Sequence, residues 1–136
     1  MTNTELLDRP LRTDIELHQY WLELMSPLGF AEWRLYLIFL DRERRAIRQL
    51  HEIGDLPTLP DRGFADSLMA VLTHFAEYFS FALLLARPGN EPMDANDRAW
   101  ARTLLAAANR SGIGLEPMHL ANNDRLVPFT GDDLAG

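Results

Sequence analysis

Apolar side chains recur at three- and four-residue intervals in three stretches of the chain, and alternate or run together in five others. Leu17, Tyr20, Trp21, Leu24 and Leu28 follow Thr13-Asp14-Ile15-Glu16, which has the form of a capping box: a hydroxyl on the cap and a carboxylate three residues on. The pattern predicts a first helix to about Met25, ended by Ser26-Pro27-Leu28-Gly29. Glu32 to Asp41 reads as a strand, apolar on both faces beyond Arg34, as in a central strand. Asp41 to Arg45 is a charged turn, and Ala46 to Ile53 reads as its hairpin partner, interrupted by Arg48 and Glu52 as on an edge.

After a Pro- and Gly-containing loop from Gly54 to Gly63, Phe64, Leu68, Val71, Leu72, Phe75 and Phe79 mark a second helix. Phe81 to Ala86 is wholly apolar and fits a buried strand. A third helix follows the Arg87–Met93 loop. Asp94 is placed to cap it, Asp97 sits at its positive end, and Gly112 stops it. Leu115 to Ala121 and Arg125 to Phe129 read as strands around an Asn122-Asn123-Asp124 turn. The expected fold is therefore α/β, in the order α-β-β-α-β-α-β-β. The third and fourth strands should be parallel, in a mixed parallel/antiparallel sheet with helices on both faces. Residues 1–12 are expected to be a flexible lead-in, 13–129 a single domain, and 130–136 a flexible acidic tail.

Composition narrows the function classes. The 136 residues carry 20 acidic and 13 basic side chains, a formal net charge of -7. This balance speaks against a nucleic-acid partner, which needs clustered positive charge. All 13 basic residues are Arg, as in a G+C-rich genome. The chain has no Cys, which excludes disulfides and Cys-based zinc sites. No apolar run reaches the length of a membrane span, so no membrane is expected and the cytoplasm is the expected location. No Gly-x-Ser-x-Gly, Gly-x-Gly-x-x-Gly or Walker loop is present. Arg42, Arg44, Arg45 and Arg48 crowd the first hairpin, but Asp41 and Glu43 interleave them and no aromatic residue does. A solvated turn and edge strand account for them better than an acidic-partner or phosphate contact does.

The order of elements and four local strings resemble the RadC branch of the JAB/JAMM metalloprotease-like family, over about Glu32 to Phe129. Glu32 opens a central strand that ends in Asp41. The strand Phe81–Ala86 leads into Arg87-Pro88-Gly89, where the family has His-x-His-Pro-Ser-Gly. Asp94-Ala95-Asn96-Asp97 stands in place of its Ser-x-x-Asp, and Gly112 to Leu120 loosely follows its next segment. In that family two His and the Asp bind zinc, and the Glu works on the zinc-bound water. Aligned through Pro88, the two His become Leu85 and Arg87, and the Ser becomes Asp94. Leucine cannot ligate, and a permanent guanidinium repels a cation. The resemblance therefore implies the fold without its zinc chemistry, and neither metal nor cofactor is expected.

The residues it would leave in a remnant pocket are Glu32, Arg87, Asp94, Asp97 and His119. Arg87 would replace the cation and fork onto the carboxylates, and His119 is the candidate for a rebuilt site. Each also has an ordinary explanation as a surface, cap or half-buried residue. His18, His51 and His74 form no local ligand pair with one another or with His119. Two functions follow as expectations. One is a non-catalytic protein-interaction or small-ligand-binding module, acting as a homodimer or with a protein partner. The other is a hydrolase with a rebuilt polar or metal site around Glu32, Arg87, Asp97 and His119.

Overall fold

The computed structural model describes residues 9–135. The chain folds as mixed α/β. Its elements are α1 (Asp14–Met25), β1 (Arg34–Leu40), β2 (His51–Ile53), α2 (Arg62–Leu72), β3 (Ser80–Ala86), α3 (Ala95–Arg110), β4 (His119–Ala121), β5 (Leu126–Pro128) and α4 (Gly131–Leu134). The five strands form one sheet in the order β2-β1-β3-β4-β5. Only β3 and β4 pair in parallel; the other three pairings are antiparallel.

Local chemistry sets the helix ends. Thr13 and Glu16 form the capping box of α1, and Asp94 and Asp97 form that of α3. Helix α3 closes in a Schellman motif. The Ile113 N–H reaches the Ala108 carbonyl (2.8 Å) and the Gly112 N–H reaches that of Asn109 (3.2 Å). Gly112 has φ +70°, a left-handed conformation that glycine adopts without steric cost.

Alternate strand residues divide the core into two clusters. Leu35, Leu37, Phe81, Leu83 and Leu85 pack with Met69 and Leu72 of α2 and Trp100 and Leu104 of α3. Tyr36, Ile38, Leu40, Ala82 and Leu84 pack with Leu17, Tyr20 and Trp21 of α1. Strands β1 and β3 share a register seven residues long, from Arg34 opposite Ala86 to Leu40 opposite Ser80.

Several segments differ from the sequence expectation. Helix α2 ends at Leu72, not Phe79. Tight turns follow, including i to i+3 bonds from His74 to Val71 and from Phe75 to Leu72. Phe75 and Phe79 still reach Phe39, at ring separations of 5.4 and 5.5 Å, but Val71 is exposed. The first hairpin is bulged. Leu37 pairs with His51, yet Leu40 pairs with Ala46, so two extra residues loop out and β2 keeps three. The fourth strand is also short. Leu115 bridges Phe81, but Pro117 has no N–H to continue the ladder, and regular pairing resumes at His119.

Both ends of the described chain are docked. Residues 1–8, part of the predicted flexible lead-in, lie outside the described residues. Leu11, also in that lead-in, is buried, and its N–H bonds the Arg44 carbonyl at 2.7 Å. Within the segment expected to be an acidic tail, Thr130 and Asp133 cap the short helix α4. Arg98 pairs with Asp133 at 3.1 Å, and Arg102 donates to the Ala135 carbonyl at 2.9 Å. Among the described residues no helix is long and apolar enough to cross a membrane.

Candidate functional site

Arg87, the first residue after β3, turns its side chain onto the start of α3. Its Nε donates to Asp97 Oδ1 and its Nη2 to Asp97 Oδ2, both at 2.8 Å. Nη2 also meets the carbonyls of Glu91 (2.9 Å) and Pro92 (3.1 Å), and Nη1 that of Pro88 (3.3 Å). The Arg87 side chain is 6% exposed and that of Asp97 0%. A forked pair in this setting is short, directional and little screened by salt. The hydrogen bond to Asp97 raises the Arg87 pKa further, against the opposing effect of burial.

Asp94 completes the cluster. Its backbone N–H donates to Asp97 Oδ2, and its Oδ1 accepts the Asp97 N–H, both at 2.9 Å. Burial pushes the Asp94 carboxyl up. The backbone and side-chain hydrogen bonds with Asp97 and the nearby Arg87 charge outweigh it, and its pKa lies below the ordinary carboxylate value. Asn122 holds the other side of the loop. Its Nδ2 donates to the Glu91 carbonyl at 2.8 Å, and its Oδ1 accepts the N–H groups of Asp124 and Arg125 at 2.8 Å. The Arg87 backbone N–H reaches the Ala121 carbonyl at 3.0 Å.

The five candidate residues therefore fall in three places. Arg87, Asp94 and Asp97 converge. Glu32 lies at the same end of the sheet, because Arg34 is opposite Ala86, but its partners are others. It pairs with Arg34 at 2.8 Å and accepts the Asp55 N–H at 3.3 Å. The contact with Asp55 lowers the Glu32 pKa and raises that of Asp55. His119 is farther removed. It stands in register with Leu84, which packs in the cluster containing α1, whereas Asp97 belongs to α3 in the other cluster. Glu32, Arg87, Asp97 and His119 do not form one site.

The zinc chemistry of the resembled family does not fit these residues. Arg87 fills the space beside Asp97 with a cation of its own and holds both carboxylate oxygens. Among the described residues no three His, Asp or Glu side chains gather as a metal-binding group. Arg87 is also poorly placed to receive a ligand, because its donors already meet Asp97 and three carbonyls.

The basic hairpin is largely engaged within the chain. Arg42 lies over the Tyr78 ring at 5.4 Å, Arg44 pairs with Glu116 and donates to the Leu11 carbonyl at 3.1 Å, and Arg45 pairs with Glu43.

His119 instead faces His18 of α1, with ring centroids 5.4 Å apart and planes 30° apart. The two line a groove of about 650 Å³ bounded by α1, the segment before β4, the end of β5, and α4. His119 is 1% exposed, and burial, with repulsion from His18, pushes its pKa down to about 4. Attraction to the Pro117 carbonyl and to Asp14 opposes this only in part. Sequence pattern alone missed both this pair and Asn122: His18 reads as one more helical position, and Asn122 as one more turn residue. No protein-family model matches the chain, and no curated protein matches it.

Proposed function

We propose that the chain is a non-catalytic binding module on a degenerate JAB/RadC-like fold, with α1 on one face of the sheet and α2 and α3 on the other. The observation that carries this reading is the buried Arg87–Asp97 fork, 2.8 Å at both bonds. It lies between a buried strand and the N-terminus of the next helix, where the resemblance puts the metal. The guanidinium stands in for the cation: it neutralises Asp97, ties down three loop carbonyls, and leaves no open coordination position for a water nucleophile. The unit β3–loop–α3–β4, with its parallel strands and with Asp97 at the third position of α3, supports the family resemblance. Exposed Val71, Phe75 and Tyr78 beside the bulged hairpin favour self-association or a protein partner.

The test is elemental mass spectrometry of protein purified without chelators or a His tag, alongside an Asp97→Ala variant. The expected result is no stoichiometric metal in either. Stoichiometric zinc that disappears in the variant would return the chain to the metal hydrolases.

A further inference from the structure

We propose that the groove between α1, the β4–β5 hairpin and α4 binds a small, uncharged, largely apolar molecule whose hydrogen-bonding head group meets the His18–His119 pair. This rests on the binding-module reading and names the ligand class. The first support is unmet polar chemistry. Among the described residues, neither His119 Nδ1 nor Nε2 makes a hydrogen bond of good geometry, the Pro117 carbonyl being the one acceptor that attracts the ring, and His18 Nδ1 has no partner, although all three atoms are buried. A buried polar atom left unpaired costs about 1–3 kcal/mol and requires an explanation. His119 stands on a rigid paired strand and His18 on a capped helix, so neither is a loose surface ring. Both residues line the same groove, and a small turn of either ring would bring its nitrogens to a molecule held there.

The second support is size and lining. A groove of about 650 Å³ falls within the ordinary range of ligand sites, roughly 300–1,000 Å³. Leu105, Leu115, Met118, Phe129 and Leu134 supply an apolar wall around the imidazoles. The third support is charge. Among the described residues, the ionisable groups on the lining besides the two histidines are Asp14 and Glu116, and Glu116 is already paired with Arg44. A carboxylate or phosphate head would meet Asp14, and no Arg stands among the described lining residues to receive it. A neutral imidazole offers one donor and one acceptor, which matches a hydroxyl or carboxamide.

The test uses the full chain at pH 7.5 with N-phenyl-1-naphthylamine, an uncharged fluorescent probe, displaced by 1-decanol or by decanoate. The expected result is saturable one-to-one binding, with decanol displacing the probe at least tenfold more effectively than decanoate. His119→Phe keeps the ring volume and removes both nitrogens. It should retain the probe and weaken decanol competition about tenfold, the worth of one hydrogen bond. Leu105→Trp fills the groove from α3 and should abolish probe binding with the fold intact by circular dichroism, so the proposal stays testable if His119→Phe does not fold. Absence of saturable binding, equal competition by decanoate, or unchanged binding in Leu105→Trp overturns it. Such a failure in metal-free protein leaves the module reading standing, whereas Asp97-dependent zinc defeats that reading whatever the groove binds.

Discussion

Replacing Asp97 with alanine removes the one carboxylate that faces a guanidinium almost wholly out of water. Arg87 keeps its charge, because nothing within a protein deprotonates it at neutral pH. The variant therefore leaves a buried cation whose remaining hydrogen bonds go to backbone carbonyls, with the Asp94 and Glu91 carboxylates near but not bonded to it. Breaking a buried pair in this way costs about 3–5 kcal/mol. Loss of the Asp94 N–H to Asp97 bond, half of the α3 capping box, adds up to about 1 kcal/mol. Against a total stability of about 5–15 kcal/mol for a single domain, the change is large, and it should lower Tm by roughly 10–20 °C. Urea unfolding followed by circular dichroism measures it, with an unchanged m-value as the check that the unfolded state is the same. The double variant Arg87→Met with Asp97→Leu removes both charges. It should be more stable than the sum of the single effects by about 2 kcal/mol or more, its remaining deficit coming from the loop carbonyls that Arg87 no longer bonds. The Asp97→Ala deficit should also persist in 1 M salt, because burial shields the pair from counterions. A cost below about 1 kcal/mol, or strictly additive single and double effects, would refute the claim that this fork holds the loop.

Other expectations concern single groups. The folded chain keeps His119 neutral down to about pH 4, while the unfolded chain takes that proton near 6.5, so the unfolded state binds more protons between those values. Stability from this group is complete above pH 6.5 and lost as pH falls to 4, a swing of about 3 kcal/mol. The groups acting on it are His18, Asp14 and the Pro117 carbonyl, and the Arg44-paired Glu116 lines the same groove. The wild-type minus His119→Phe difference in urea stability should fall by most of that amount between pH 7 and 4.5, and a difference that stays constant with pH would count against the buried neutral imidazole. Gly112→Ala should cost about 1 kcal/mol through its left-handed backbone alone, since no atom lies within 4 Å of the added Cβ, and Gly112→Asn should cost less. Thr13→Ala should cost about 1 kcal/mol and Thr13→Ser almost nothing, read by thermal melts, because either hydroxyl can cap α1.

What could be read from the sequence is what short-range chemistry determines. The caps at Thr13 and Asp94, the stop at Gly112, and the apolar runs of β1 and β3 are each written within a few residues. The pairing of Arg87 with Asp97 follows from the family resemblance and not from local pattern, and the resemblance adds Glu32, which pairs with Arg34. The failures lie where spacing persists but hydrogen bonding changes. Phe75 and Phe79 continue the α2 periodicity from a chain of turns, since Phe39 provides the same packing partner whatever the backbone does. The Arg48–Leu50 bulge and the break at Pro117 depend on cross-strand register, which no local window contains. The family resemblance alone groups Glu32 with Arg87, and its pairing with Arg34 and Asp55 is visible only in three dimensions. His18 and His119, 101 residues apart, meet only because α1 folds back over β4.

Strand β3 is the third of five strands, bonded on both sides, and buried from Phe81 through Ala86. Its amides can meet solvent only when β1 or β4 leaves, so their hydrogen exchange should report the global opening of the domain. The three-residue edge strands β2 and β5 should exchange through small local fluctuations. The Arg87 loop is thus an irregular segment anchored directly to the slowest-opening backbone in the molecule. It should stay ordered under denaturant concentrations that already fray the bulged hairpin.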